Sequence, residues 1–414
     1  MADTRPNRHR GDHLPVMIML VSFLVAHPGA GQAVPPIRQI SSVLASARDT
    51  LGQLPSIRVL SNGRLLVNDP DRQRLLLMDS SLRVVRVVLD TTPGQARNYP
   101  GRFQGFLIPY LKDSTLFLDT RATSLLVLDP SGVIVRVVAP PRPSDAHSLQ
   151  PNALGAPAAD SRGRLVYAYS PTTRPVHADG TPLAPGDTFD MPILRASFGS
   201  QSIDTVSVIH YPFPPPPIQT QDSTGRPIMV RMVAPLSGMG PPRTDVYAVT
   251  PDGSIAIVRV QDYHIDWIRP DGSHESSPKI AHEWHRLSDD EKQRLADSAS
   301  QAEDSVNARA LATLRPGTEL VVYKVQAAQD IPDYATPFSA SAPMVEPNGN
   351  IWIASNNYPK PAGGPLYDVV DSHGTLIDRV QLPKYCTLAG LGHNVAFVTS
   401  REGMTTALVA MRVR

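Results

Sequence analysis

The 414-residue sequence has a single cysteine, Cys386. That excludes an intrachain disulfide and leaves packing to hold the fold. Neither sign of charge is in excess: 39 Lys and Arg stand against 38 Asp and Glu. No field of one sign is there to attract nucleic acid or an anionic membrane. Several catalytic signatures are also missing. No glycine-rich phosphate loop follows an apolar run, and no aspartate-rich calcium loop is present. Leu236-Ser-Gly-Met-Gly240 follows Pro235, which is not how a nucleophile elbow begins.

Proline, by contrast, is plentiful at 42 residues, clustered between apolar runs. This is the composition of a loop-rich, strand-rich chain, since proline cannot donate within a ladder. At the N-terminus, Arg5, Arg8 and Arg10 precede the apolar stretch from Leu14 to Ala26, and Gly31-Gln-Ala33 supplies small residues. The pattern predicts a cleaved secretory leader over residues 1–33 and a secreted or periplasmic mature protein. An uncleaved anchor is the alternative, but the stretch is shorter than the ~20 residues that span a bilayer. Cys386 lies far from the leader, so it is not a lipoprotein cysteine. Removal of the leader takes away three arginines and two aspartates, leaving 36 charges of each sign and no membrane span.

A degenerate repeat organises residues 34–414 as one domain. Its clearest copy is Ser61-Asn-Gly-Arg-Leu-Leu-Val-Asn-Asp69, followed by Arg74-Leu-Leu-Leu-Met-Asp79 and Val84-Val-Arg-Val-Val-Leu89. Asn62-Gly63 fits a tight turn, because glycine tolerates the positive φ that hairpins demand. The same beat returns at Lys112-Asp-Ser-Thr-Leu-Phe-Leu-Asp119, Ser161-Arg-Gly-Arg-Leu-Val-Tyr167 and Pro251-Asp-Gly-Ser-Ile-Ala-Ile-Val258. Two further copies are Pro347-Asn-Gly-Asn-Ile-Trp-Ile353 and Leu391-Gly-His-Asn-Val-Ala-Phe-Val398. The strands are short continuous apolar runs, as expected where both faces of a sheet are covered. Six such units predict an all-β, six-bladed β-propeller rather than a sandwich.

Two intervals between copies are about twice the ~40–50 residues of a propeller repeat and must hold insertions. The first contains proline-rich loops at 171–190 and 210–244. It could instead conceal a seventh blade, built from Ile193-Leu-Arg-Ala-Ser-Phe198 and Thr205-Val-Ser-Val-Ile209. The second contains Ser288-Asp-Asp-Glu291, a capping box that opens a helical insertion over 288–314, between blades four and five. Leu295, Ala299, Ala302, Val306 and Ala310 give that helix a weak apolar face. The last copy ends with the chain and lacks a fourth strand, so residues 37–44 are expected to supply it and close the ring.

The segment Asn62-Gly-Arg-Leu-Leu-Val-Asn-Asp69, with Arg72, Arg74 and the run to Asp79, resembles the NHL-type repeat. The chain from about residue 55 onward resembles the six-bladed, TolB-like propeller superfamily, chiefly its exported bacterial members. That resemblance implies a fold whose members are protein-binding platforms, calcium-dependent hydrolases or zinc-dependent lyases. No motif here maps onto their metal ligands.

Candidate functional side chains gather between the fourth repeat and the helix: His264, His274, His282, Glu283 and His285. His282-Glu-Trp-His285 is one residue short of the zincin spacing, and the plainer reading is a polar lead into the helix. Arg72 and Arg74 could bind an acidic group, although bridging to a neighbouring blade's carboxylate is the expected role. Asp69, Asp79, Asp119, Asp129 and Asp371 at strand ends are expected to hold turns, while Trp267, Trp352 and Phe117 pack between blades. The function expected from these features is that of a non-catalytic exported protein with no cofactor, binding a protein or glycan through its face loops. The alternative is a hydrolase or lyase with calcium or zinc on the propeller axis.

Overall fold

The computed structural model describes residues 1–2 and 34–414, apart from 53–54, 95–96, 172–174, 178, 185, 214–216, 222–224, 234–243, 314–319, 340, 357–361 and 403–404. The expected leader lies outside the described residues. Each of the six turn motifs opens a sheet of its own. The first sheet is Ser56–Val59, Leu65–Asp69, Arg74–Met78 and Val84–Leu89, each strand antiparallel to the last. The second is Gly105–Pro109, Thr115–Asp119, Ser124–Leu128 and Ile134–Val138. Ala158–Ala159, Leu165–Ala168, Thr188–Ala196 and Ile203–Pro212 form the third. The fourth is Val246–Val249, Ile255–Arg259, His264–Ile268 and His274–Ser276. The fifth begins with Met344–Val345, Ile351–Ala354, Leu366–Val370 and Leu376–Gln381, and the sixth with Cys386–Gly392, Val395–Glu402 and Thr405–Arg412.

The turn between the first two strands has the left-handed backbone that the motif predicts, at Gly63 (φ 78°), Gly163 (φ 78°), Gly253 (φ 91°) and Gly349 (φ 92°). In the second sheet Lys112 and Asp113 adopt it without glycine, and Asn394 does so in the sixth. Asn and Asp tolerate this region better than other non-glycine residues.

Consecutive sheets are glued by six apolar clusters, one at every interface. Leu66, Leu75 and Leu77 of the first sheet meet Phe117, Leu126 and Leu128 of the second. Leu65, Val67 and Leu76, on the opposite face of the same strands, meet Phe397, Leu408 and Ala410 of the sixth. Equivalent clusters join the second to the third, third to fourth, fourth to fifth and fifth to sixth. With both faces of a strand buried, alternation vanishes and the sequence reads as a continuous apolar run. The first strands of neighbouring sheets touch one another around the interior. Between the third and fourth sheets the Tyr247 amide donates to the Leu154 carbonyl at 2.7 Å. A closed circle of small radially packed antiparallel sheets is a β-propeller.

The closing seam is built from the N-terminal segment. Val43–Ser46 is the fourth strand of the sixth sheet, antiparallel to Thr405–Arg412. Ile37–Gln39 departs from the expectation: it runs parallel to Leu376–Gln381 as a fifth strand on the fifth sheet. Only the later half of the segment therefore closes the sixth sheet.

Two other expectations need correction. The strands assigned to a hidden seventh blade are the third and fourth strands of the third sheet, Thr188–Ala196 and Ile203–Pro212. The region 210–244 is more than loop, because Ile218–Gln221 and Pro227–Val233 lie in it as strands. Pro227–Val233 pairs in parallel with Leu320–Val325, from the other insertion, giving a separate three-stranded sheet. The helix, Asp289–Thr313, packs on Leu320–Val325, and the Asn307 amide brackets the Tyr323 backbone at 2.9 and 3.0 Å. The two insertions thus form one accessory unit. Of the expected apolar face, Leu295 packs beside buried Lys292 and Ala296 in the first turns, whereas Val306 is exposed. Its capping box is present: the Ser288 amide donates to Glu291 Oε2 at 2.8 Å, and the Glu291 amide donates to Ser288 Oγ at 3.3 Å.

Candidate functional site

The strand-end carboxylates are turn holders. Asp79 accepts the amides of Ser81 and Arg83, Asp129 those of Ser131 and Val133, and Asp371 those of His373 and Thr375. Asp119 accepts the Ala122 amide, and fully buried Asp69 accepts the Gly52 amide at 3.1 Å. Trp267, Trp352 and Phe117 are buried between sheets.

Arg72 and Arg74 do not reach a neighbouring sheet's carboxylate. Arg74 Nε bonds Asp69 of its own sheet at 3.1 Å, and both guanidinium groups donate to the Thr50 carbonyl. They clamp the segment that leads into the first sheet.

The histidines separate into different environments. His264 is held between Asp262 at 2.7 Å and Asp266 at 3.2 Å. His285 leans on Glu291 of the capping box at 3.1 Å. His282 turns the other way, its ring perpendicular to Tyr263 at 5.8 Å and to Trp284 at 5.2 Å. The two imidazoles of His282-Glu-Trp-His285 therefore do not aim at one point. Among the described residues no three His, Cys, Asp or Glu side chains converge as a metal would require.

What surrounds His282 is a buried polar group at the interface between the fourth and fifth sheets. Tyr263 sits in the turn after Ile255–Arg259 with a left-handed backbone, φ 46°, and its ring is fully buried. Its hydroxyl donates to Asp368 Oδ2 at 2.8 Å, across from the fourth sheet to the fifth. Arg379 Nε reaches the other oxygen, Oδ1, at 3.3 Å. The buried Ser355 hydroxyl lies beside this carboxyl. Burial raises the Asp368 pKa, opposed by the Tyr263 bond and the Arg379 charge. The Tyr263 phenol rises well above its ordinary value through burial and the Asp368 charge. Desolvation, and then the Arg379 charge, push His282 down to about 4. Its imidazole is accordingly neutral at pH 7, and neither ring nitrogen has a hydrogen-bond partner among the described residues. The other half-buried histidines, His147, His264 and His285, are all engaged through a ring nitrogen.

Sequence reasoning named His282 but missed Tyr263, Asp368 and Arg379. Asp368 falls inside an apolar strand, Leu-Tyr-Asp-Val-Val, and a charge with no exposed face of its own was the available signal.

No protein family matches the sequence, and no curated protein matches it significantly. Solved structures do match. A gluconolactonase from Xanthomonas campestris is 13% identical, covering 93% of this chain and 99% of its own, with a TM-score of 0.37. A virginiamycin B lyase from Staphylococcus aureus is 12% identical, covering 88% and 97%, with a TM-score of 0.37. A calcium-binding regucalcin from Agrobacterium tumefaciens is 14% identical, covering 91% and 97%, with a TM-score of 0.39. At such identities the likeness is one of fold, and no residue is carried over from it. It corrects the expectation of a non-catalytic binding scaffold: a lactonase and a lyase, both catalysts, are among the structures this fold is similar to. Calcium, one of the ions of the alternative reading, is bound by one of them.

Proposed function

We propose that the protein is an enzyme of the hydrolase or lyase type, with His282 as its general base. The observation that supports this is a half-buried imidazole, neutral at pH 7 and with neither nitrogen engaged by the described residues, set against a buried acid, phenol and guanidinium. Neighbouring groups whose pKa values are driven apart are the usual mark of acid–base chemistry. His282 would take a proton from an attacking water, or from a carbon beside a carbonyl. Arg379, fixed by Asp368, would favour the negative charge that develops. Tyr263 and Asp368 are positioning residues, holding Arg379 and the floor beneath the imidazole. Calcium and zinc do not fit this place, since the described side chains offer no converging set of ligands.

The same proposal includes the finer architecture: six blades of the TolB-like, NHL-repeat kind, with the helix inserted between the fourth and fifth. It also includes export behind the N-terminal leader to the periplasm or outside the cell, and no nucleic-acid partner.

Purified protein would be assayed with glucono-lactone and virginiamycin B, the substrates named for two similar folds. Turnover of either is expected, with kcat/KM falling below about pH 4–5 as His282 protonates. His282→Gln is expected to lower kcat/KM by 10²–10⁴, the usual worth of a general base. Turnover unaffected by that substitution would refute the assignment of His282.

A further inference from the structure

A second site, unrelated to His282, lies between the second and third sheets. A cavity of about 350 Å³ opens there, floored by Leu116 and Val127 and walled by Tyr110, Val138 and Phe198. Tyr110 and Phe198 meet edge to face at 6.0 Å and 85°. The charged group on its lining is Arg136. Its cross-strand neighbour is Val127, part of the apolar cluster between these two sheets. Arg136 itself is exposed, on the outer strand of the second sheet.

The repeat itself indicates what is missing. Asp79-Ser-Ser-Leu-Arg-Val-Val-Arg86 in the first sheet corresponds to Asp129-Pro-Ser-Gly-Val-Ile-Val-Arg136 in the second. Arg86 and Arg136 therefore occupy the same place on the outer strand. The turn of the following sheet lies against that strand: a Cβ on Gly132 would meet Val88 at 3.1 Å and Leu77 at 3.6 Å. Where the second sheet's turn meets the first sheet, Asp129 lies within the field of the Arg86 charge. The Asp129 carboxyl is held below its ordinary value in spite of some desolvation, by bonds from Ser131 and Val133 and by the Arg86 charge. In the third sheet the corresponding turn reads Ala196-Ser-Phe-Gly-Ser-Gln201, with Ser197 where the carboxylate should be. Arg136 has no acidic partner among the described residues. The space contains the cavity, with Phe198 and Gln201 at its edge.

We propose that this cavity binds a small aromatic carboxylate, whose acid group replaces the aspartate that the repeat has lost. A guanidinium is suited to a planar carboxylate because its fork can donate two parallel hydrogen bonds. The apolar floor and the Tyr110–Phe198 edge suit a flat ring, and the volume lies at the lower end of the range for small-molecule sites.

The test is calorimetric titration of the mature protein with indole-3-acetate and, in parallel, uncharged indole-3-acetamide. Indole-3-acetate is expected to bind and the amide to bind at least tenfold more weakly. Arg136→Gln is expected to weaken the acid tenfold or more while leaving the amide unchanged. Ser197→Asp, which restores the carboxylate of the repeat, is expected to abolish acid binding by pairing with Arg136. Circular dichroism and the melting temperature check that both variants fold, as expected with Arg136 exposed and Ser197 only half-buried. Equal binding of acid and amide, no binding of either, or retained acid binding in the Ser197→Asp protein would each overturn the proposal. His282→Gln should leave this binding intact, so failure here and failure of the catalytic reading are distinguishable.

Discussion

At the scale of single residues, the molecule separates polar groups that hold turns from polar groups that are buried at some cost. Asp79, Asp129 and Asp371 stay at the surface and accept backbone amides, the task their positions after a strand suggested. His282 is different, because its neutral form is enforced by burial and by Arg379. Its folded pKa of about 4 lies below the ordinary imidazole value, so the unfolded chain binds the proton more readily. The stabilising contribution is therefore present above about pH 6.5 and is lost as pH falls through 4. Partial exposure tempers its size to about 1–2 kcal/mol. Urea unfolding at pH 7.5 and pH 4.5 should show the wild-type protein losing that much more stability than His282→Gln over the interval. An identical loss in both proteins would mean that the imidazole is already protonated in the folded state. The sequence drew attention to this histidine through its neighbours in the chain, yet Tyr263 beside it is bonded to Asp368, 105 residues further along. Side-chain convergence across two sheets leaves no local spacing to read.

At the scale of elements, legibility followed the range of the interaction. The six turn motifs and the capping box at Ser288 are set by contacts within a few residues, and the structure has all of them. The accessory sheet was not legible. Pro227–Val233 and Leu320–Val325 pair in parallel across the whole fourth sheet and the helix, so no hairpin turn announces them. Proline-rich flanks further disguised the first of these strands as loop. The helix was legible at its start and misread along its length, because Ala302 and Val306 are exposed and its later turns dock through the polar Asn307 rather than through an apolar stripe. Lys292 and Ala296 are the buried positions, with Lys292 Nζ bonded to Asp333 at 2.6 Å. With a weakly apolar face, this helix depends on its cap and its first turns. Glu291→Ala is expected to cost about 1 kcal/mol, the usual worth of a capping interaction. The loss should be local: amide exchange across Asp289–Thr313 accelerates while protection of Leu65–Asp69 is unchanged. Uniform acceleration in both segments would show instead that the accessory unit and the ring unfold together.

At the scale of the whole molecule, the fold depends on closing a circle of sheets, and one segment serves two neighbouring interfaces. Ile40 is buried in the cluster between the fifth and sixth sheets, and Leu51 in the cluster between the sixth and first. Between them, Val43–Ser46 completes the sixth sheet, and its edge continues in the bond from the Ala47 amide to the Leu408 carbonyl at 2.8 Å. Ahead of them, Arg38 pairs with Asp378 while Ile37–Gln39 covers the outer edge of the fifth sheet. In a ring, each interface is held on both sides by its neighbours, so an opening at the seam frees two sheets at once. Ile40→Ala is expected to cost 2–4 kcal/mol, the range for truncating a buried aliphatic side chain. Removal of residues 34–46 takes away Ile40 together with a complete outer strand, and should cost more than Ile40→Ala. The unfolding rate in urea measures this directly. Stabilising contacts that form late, after most of the ring has assembled, appear chiefly as slower unfolding. The truncated protein is expected to unfold at least tenfold faster than the full mature chain, with Ile40→Ala between them. Equal unfolding rates for the full and truncated chains would mean that the three remaining strands of the sixth sheet hold the circle unaided, and that the N-terminal segment only covers the edges it lies against.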